Sequence, residues 1–245
     1  MLKIENLTVK IAGKEVIQDV SLTIEKGETM ALLGPNGSGK TSLIMAIMGF
    51  SDYSIVKGDI YFNGKRITGM DVDERARMGI GIMFQRPPTI TGVRVRQMIE
   101  LIKKEGFEIE KEAGNLKLKE FLSRDINSGF SGGEIKRSEL IQLLASSPQL
   151  SLFDEPESGV DLENIALVGK VMDRILKKDD GNMGLIITHT GFIFDYVKPD
   201  KGCILVGGRL HCVGDPMAIL KTVKKRGYEW CITCEGEKLK GKSRT

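Results

Sequence analysis

The segment Gly34-Pro35-Asn36-Gly37-Ser38-Gly39-Lys40-Thr41 constrains this 245-residue chain more than any other stretch of it. It matches the pattern G-x-x-x-x-G-K-[ST] without deviation. The apolar run Thr29 to Leu33 leads directly into it, and Thr41 to Met48 continues with helical spacing. Strand, glycine loop and helix in that order let backbone N–H groups converge on phosphate oxygens at the helix's positive end. Lys40 is expected to neutralise β/γ-phosphate charge and Thr41 to offer its hydroxyl to Mg2+, with Ser42 next to it in the nucleotide-binding set.

The rest of the chain supplies an α/β frame for such a loop. Leu150 to Phe153 and Gly184 to Thr188 are short apolar strands flanking the helical pattern Leu162 to Lys177, and this βαβ alternation predicts a parallel sheet. Gly79 to Phe84 is another buried strand, preceded by a helical stretch from Asp71 to Met78. Leu2 to Ile11 and Glu15 to Ile24 alternate as strands around a Gly13-Lys14 turn. Asn63-Gly64 marks a hairpin within Gly58 to Arg66, and Gly207-Gly208 another between Cys203 to Val206 and Arg209 to Val213. From Val93 to Ser123 the spacing becomes helical, through Val95, Met98, Ile99 and Ile102, then Leu116, Leu118, Phe121 and Leu122. The expectation is therefore a mixed or parallel sheet with an antiparallel β subdomain and a helical insertion over approximately 91–145, all in one domain spanning 1–245.

Several polar residues sit where such a core would use them. Asp154 and Glu155 end the strand begun at Leu150: Asp154 is placed to hold Mg2+, directly or through water, and Glu155 to polarise an attacking water. Gln85, just past Phe84, can bind Mg2+ or that water through its amide. His189 follows the last core strand and can help orient Glu155. Ser131-Gly132-Gly133-Glu134 opens a helix, so its hydroxyl and exposed N–H groups can meet a γ-phosphate. Each of these has a plain structural alternative: a solvated turn for Asp154-Glu155, a helix cap for Ser131, and an N-cap at Leu162 for Asp161. The order in which they follow the phosphate loop favours the chemical role.

Composition narrows the class further. With 41% hydrophobic and 28% charged residues of mixed sign, the chain can bury a core, and a net charge of +3 selects no partner. The start, Met1 to Asn6, lacks the apolar stretch of a secretory signal, and the run Leu43 to Phe50 is far short of the roughly 18–20 residues that span a bilayer. A cytoplasmic location without membrane insertion follows, with Cys203, Cys212, Cys231 and Cys234 as reduced thiols. Cys231-x-x-Cys234 invites a metal role, but two cysteines cannot complete a tetrahedral site, and the segment 231–245 reads as a polar tail. No long coiled-coil insertion or strongly basic face points to nucleic acid.

In sequence order the phosphate loop, Gln85, Ser131-Gly132-Gly133-Glu134, Asp154-Glu155, Ser158-Gly159-Val160-Asp161 and His189 resemble the ATP-binding-cassette (ABC) ATPases, a P-loop NTPase fold. Asp52 to Gly58, Val93 after Thr91-Gly92, Gly129 to Arg137, Asp195 to Asp200 and Arg226 to Trp230 look like the SufC family, the soluble ATPases of the SUF iron–sulfur cluster assembly system. The resemblance runs from Leu2 to about Trp230. It implies ATP and Mg2+ as cofactors, hydrolysis of ATP to ADP and phosphate, and closure against a second copy in the ATP-bound state. In that closure Lys40 of one subunit faces Ser131 of the other, Asp161 lies at the seam, and a SUF scaffold protein moves. The alternative is the ATP-binding subunit of an ABC transporter. Two features depart from the pattern: Val9-Lys10-Ile11 offers no aromatic to stack a base, and Pro156-Glu157 after the carboxylates is closer to the wider superfamily than to SUF members.

Overall fold

The structure, a computed structural model, describes residues 1–233. Along the chain run β1 (Leu2–Ile11), β2 (Lys14–Ile24), β3 (Thr29–Leu33), α1 (Lys40–Met48), β4 (Ser54–Phe62), β5 (Lys65–Arg66), α2 (Val72–Arg77) and β6 (Ile80–Met83). Then come β7 (Ile90–Arg94), α3 (Val95–Ile102), α4 (Ile109–Asn115), β8 (Asp125–Ile126), α5 (Gly132–Ser146), β9 (Leu150–Asp154) and α6 (Leu162–Leu176). The last are β10 (Met183–Ile187), β11 (Lys201–Val206), β12 (Arg209–Gly214) and α7 (Pro216–Thr233).

Six strands form the central sheet in the order β12-β11-β3-β10-β9-β6. All are parallel except β12, which turns back on β11. The middle strands are apolar without alternation because both faces are covered. Leu33, Phe153, Ile186 and Ile204 face α3, α5, α6 and α7 on one side, in a core shared with Ile99, Leu140, Val168 and Ile219. Leu32, Leu152, Leu185 and Leu205 face the other side and pack with α1. The outer boundary of that second core is an antiparallel sheet of order β2-β1-β4-β5, which contributes Leu2, Ile4, Val20 and Phe62. Register places Leu32, Ile187 and Asp154 side by side, so the carboxyl ends of β3, β10 and β9 open at one edge.

Turn chemistry decides the hairpins. Asn63 and Gly64 both have positive φ (50° and 81°), the conformation a two-residue turn requires, and Phe62 pairs with Lys65 across it. The first hairpin turns at Ala12-Gly13, one residue before the expected Gly13-Lys14, with φ of 46° and 82°. Ile11 then pairs with Lys14.

The insertion differs from the sequence expectation at its start. Ile90–Arg94, of which Thr91 to Arg94 fell inside the expected insertion, is a strand paired with Asp125–Ile126. Gly92, at φ 83°, and the preceding Pro87-Pro88 keep this stretch extended, and helix begins only at Val95, whose N–H bonds the Arg124 carbonyl. The expected polar tail also begins later than 231. Helix continues to Thr233 after a break at Gly227 (φ 76°, ψ 172°), and Cys231 is buried in the first core. Cys234 and the basic run that follows lie outside the described residues.

One buried cation joins α1 to α2. Arg75 is 1% exposed, and its guanidinium donates to the carbonyls of Ala46 and Ile47 (2.8 Å each), Met70 (2.9 Å) and Thr68 (3.0 Å). The last carbonyls of a helix need outside donors, and a cation at that end also suits the helix dipole. Removing the guanidinium strands those acceptors, so Arg75→Ala is expected to lower stability by about 3 kcal/mol, read as a shift of the urea midpoint. An unchanged midpoint would show that water replaces it freely.

Candidate nucleotide site

The phosphate loop is shaped by close backbone packing. A Cβ on Gly34 would lie 2.2 Å from the carbonyl oxygen of Leu205, so only glycine lets β3 run into the loop beside β11. Gly39 caps α1 at φ 103°, a conformation that L side chains avoid. Between them the chain folds around Lys40. Its buried Nζ donates to the carbonyls of Gly34 and Pro35, both at 2.9 Å, which holds the ammonium inside the loop. Burial lowers its pKa, and the nearby Glu155 and Asp154 oppose that shift. Asn36 and Gly37 are exposed at the loop tip, Ser38 is buried, and Ser42 is half-buried in the first helical turn.

The two carboxylates behave differently. Asp154 is 0% exposed; its Oδ2 accepts from the Thr41 hydroxyl at 2.9 Å, while Oδ1 has no partner among the described residues. Burial raises its pKa, and the Thr41 hydroxyl partly offsets this. Glu155 is a non-glycine residue in the left-handed region (φ 46°), and its N–H bonds the Ile187 carbonyl at 3.1 Å. Such strain marks a residue whose direction matters. Its Oε2 accepts from Gln85 Nε2 at 2.6 Å, and its Oε1 lies 3.3 Å from His189 Nδ1. The fold thus brings Lys40, Thr41, Gln85, Asp154, Glu155 and His189 to one edge.

Ser131 to Glu134 stand elsewhere. Ser131 caps α5, its Oγ accepting from the Glu134 N–H at 3.4 Å while Glu134 Oε2 accepts from the Ser131 N–H at 2.7 Å. That bond holds the Glu134 carboxyl below the usual range. A Cβ on Gly132 would meet the Gly159 carbonyl at 2.3 Å, so the segment packs on the loop after Glu155. Phe130 just before it sits edge-on to Phe121 at 4.8 Å, with the Arg124 guanidinium 5.0 Å from both rings. No hydrogen bond or ion pair among the described residues links Ser131–Glu134 to Lys40 or Glu155. Asp161 caps α6, its Oδ1 accepting from the Asn164 N–H at 2.9 Å and its Oδ2 from the Asn164 amide at 2.8 Å.

The family model described as ABC transporter matches residues 17–158, which carry the phosphate loop, Gln85, Ser131–Glu134 and the carboxylate pair. The chain belongs to that family. A probable ABC transporter ATP-binding protein of Streptococcus pyogenes serotype M3 is 36% identical over 242 residues, 93% of each chain. A probable ATP-dependent transporter of Trieres chinensis is 35% identical over 246 residues, covering 94% of this chain and 97% of its own. Among solved structures, the ADP conformation of an ATP-binding cassette of an ABC transporter is 27% identical at a TM-score of 0.74, covering 95% of this chain and 97% of its own. The fold is accordingly that of an α/β P-loop NTPase of the ABC kind, and the protein is an ATP-binding ATPase.

The cassette also holds charged residues that sequence reasoning passed over as chemistry. Lys136 on α5 is buried and donates to the carbonyl of Gln85 at 3.1 Å and to that of Phe84 at 2.5 Å. Glu139, one helical turn on, accepts from the Phe84 N–H at 2.8 Å and lies 3.8 Å from Lys136 Nζ. The pair therefore pins both sides of the backbone that presents Gln85. Their signal in the sequence was a charged i,i+3 pair on a face where α5 should be apolar.

Burial pushes Glu139 up to about 7 from its ordinary 4.5. Below pH 4.5 it is protonated whether the chain is folded or not. Between there and pH 7 only the unfolded chain gives up the proton, so stability falls across that window and the loss is complete above about 7. Glu139→Gln is expected to flatten that decline in urea denaturation series at several pH values, and an unaltered slope would contradict the shift.

Proposed function

We propose that this ABC-type nucleotide-binding domain, spanning 1–245 with its insertion near 91–145, closes on a second copy when ATP is bound and drives a conformational change in a SUF scaffold protein during iron–sulfur cluster assembly. The convergence of Lys40, Thr41–Asp154 and Gln85–Glu155–His189 on one edge of the sheet carries the ATPase half of this proposal. Lys40 binds the β/γ-phosphates within the cradle of Gly34 to Thr41, and Glu155 polarises the attacking water and holds its proton. Gln85 and His189, one on each carboxylate oxygen, orient Glu155.

The donors suit Mg2+. Asp154 Oδ1 is a buried oxygen without a partner among the described residues, on the carboxylate whose Oδ2 accepts from the Thr41 hydroxyl. Thr41, Gln85 and Asp154 would hold a hard, oxygen-seeking cation, which when bound neutralises charge on the transferring phosphate.

Ser131 and Glu134 cap each other, and no hydrogen bond or ion pair among the described residues ties Ser131–Glu134 to Lys40 or Glu155 of the same chain, which supports their use on a second copy's nucleotide. Asp161 would lie at that seam while still capping α6. A groove of about 560 Å3 beside Gln85, lined by Pro87, Pro88, Ile90, Leu101, Ile102 and Leu143, supports docking of a partner element where it would touch the backbone that carries Gln85. Leu101 there is 81% exposed. The SUF assignment rests on the resemblance of Asp195 to Asp200, Arg226 to Trp230 and the other stretches above.

A second reading, the ATP-binding subunit of an ABC transporter, is favoured by the names of the Streptococcus and Trieres relatives. No helix among the described residues is long and apolar enough to cross a membrane, so a transport partner would supply the membrane part. Affinity purification with and without ATP separates the two: a soluble scaffold supports the first, and an integral membrane protein replaces it with the second.

Two substitutions test the site. Lys40→Ala is expected to weaken binding of a fluorescent ATP analogue by about a hundredfold or more, and unchanged affinity would contradict the phosphate-loop role. Glu155→Gln is expected to lower kcat by about a hundredfold or more while ATP-bound dimers persist in sedimentation. Wild-type turnover there would remove Glu155 from its role.

A further inference from the structure

The carboxylate that departs from the SUF pattern, Glu157, is the most constrained group in the loop after Glu155. It is 5% exposed, and its Oε1 accepts from the hydroxyl of Thr190 at 2.8 Å and from that of Thr188. Those two threonines flank His189. Each hydroxyl in turn accepts backbone N–H groups of the same turn. Thr188 Oγ1 takes those of Thr190 (3.2 Å) and Gly191 (2.9 Å), and Thr190 Oγ1 takes that of Phe192 (3.3 Å). One carboxylate oxygen therefore holds the turn 188–192 on both sides of the histidine.

The imidazole itself is largely solvent-facing, with 42% of its side chain exposed, so its position against Glu155 depends on the backbone that carries it. Glu157 is also tied to Glu155 through the chain: the Ser158 N–H bonds the Glu155 carbonyl at 3.0 Å and the Val160 N–H bonds that of Glu157 at 3.3 Å. Fold stability gives little reason to place a carboxylate here. Glu157 Oε2 is buried without a hydrogen-bond partner among the described residues, which costs free energy that an apolar side chain would not. The attraction of Glu157 for the buried Lys136 ammonium compensates part of that cost.

We propose that Glu157 is a positioning residue for ATP hydrolysis: it clamps Thr188 and Thr190 so that His189 stays aligned on Glu155. This rests on the roles assigned above to Glu155 and His189. An apolar residue at 157 would leave both hydroxyls without their shared acceptor, and the imidazole would swing with the loosened turn.

The test is steady-state ATP hydrolysis by the full chain, with nucleotide affinity measured separately. Glu157→Leu, which removes the acceptor, is expected to lower kcat about tenfold while KM for ATP moves less than about twofold, because the clamp acts on the reacting geometry and not on phosphate binding. Added to His189→Ala, it is expected to lower kcat no further. Unchanged kcat in Glu157→Leu, or losses that multiply in the double variant, would overturn the clamp, the second outcome pointing to packing alone. Should Glu157→Leu fail to fold, Thr190 carries the test: Thr190→Val loses turnover and Thr190→Ser, which returns the hydroxyl, recovers it. Equal rates for that pair overturn the clamp as well. Full kcat in His189→Ala would strike the site assignment itself, a result distinct from the failure of Glu157 alone.

Discussion

Charge buried at the carboxyl edge of the central sheet governs this molecule's site. Lys40 and Lys136 lie among Asp154, Glu155, Glu157 and Glu139, all largely withdrawn from water. Ions so placed are tolerated only when held by hydrogen bonds and by one another. Lys40 is held by the carbonyls of its own loop, Lys136 by those of Phe84 and Gln85, and Glu155 by Gln85 and His189. The carboxylates outnumber the ammonium groups. Burial pushes Glu139 toward neutrality, and Asp154 keeps an oxygen without a partner among the described residues. A site built this way is poised for added positive charge, which is what a divalent cation accompanying a nucleotide supplies.

The parallel register brings these groups to one place. Asp154 ends β9 level with Ile187 of β10, and Leu32 of β3 stands on the other side of Ile187. Side chains that leave the ends of neighbouring parallel strands reach the same crevice, where an α/β sheet binds its ligands. The groups that carry Gln85 and His189 into that crevice are themselves buried ions: Lys136 and Glu139 brace the turn after β6, and Glu157 braces the turn after β10. The groups at the crevice and those that hold them in place thus share one electrostatic network.

Much of this was legible in the chain because local rules were enough. The glycine loop between β3 and α1, the Asn63-Gly64 turn and the apolar run ending in Asp154-Glu155 each depend on a few neighbouring residues, and each formed where spacing placed it. Less legible were features decided by distant partners. Ile90–Arg94 pairs with a two-residue strand that begins 31 positions further on, at Asp125, which no short-range pattern announces. Cys231 looks polar-tail-like in sequence and is buried because α7 resumes beyond Gly227 and packs on the core. For Lys136, Glu139 and Glu157 the charge of the side chain does not by itself give its burial, which neighbours from other segments decide.

The sequence by itself determined the class of chemistry. A strand, a glycine loop ending in Lys-Thr, and a later strand ending in Asp-Glu allow little besides handling of a nucleotide's phosphates, because only that backbone and those donors can hold such charge. Tertiary structure alone decided how the chemistry is supported: which carboxylate oxygen faces Gln85 and which His189, why Glu155 adopts a strained conformation, and why a glutamate stands beneath the histidine turn. Those outcomes depend on contacts between segments 30 to 115 residues apart, such as Thr188 with Glu157 and Thr41 with Asp154, whose separations of 31 and 113 are closed only by the sheet.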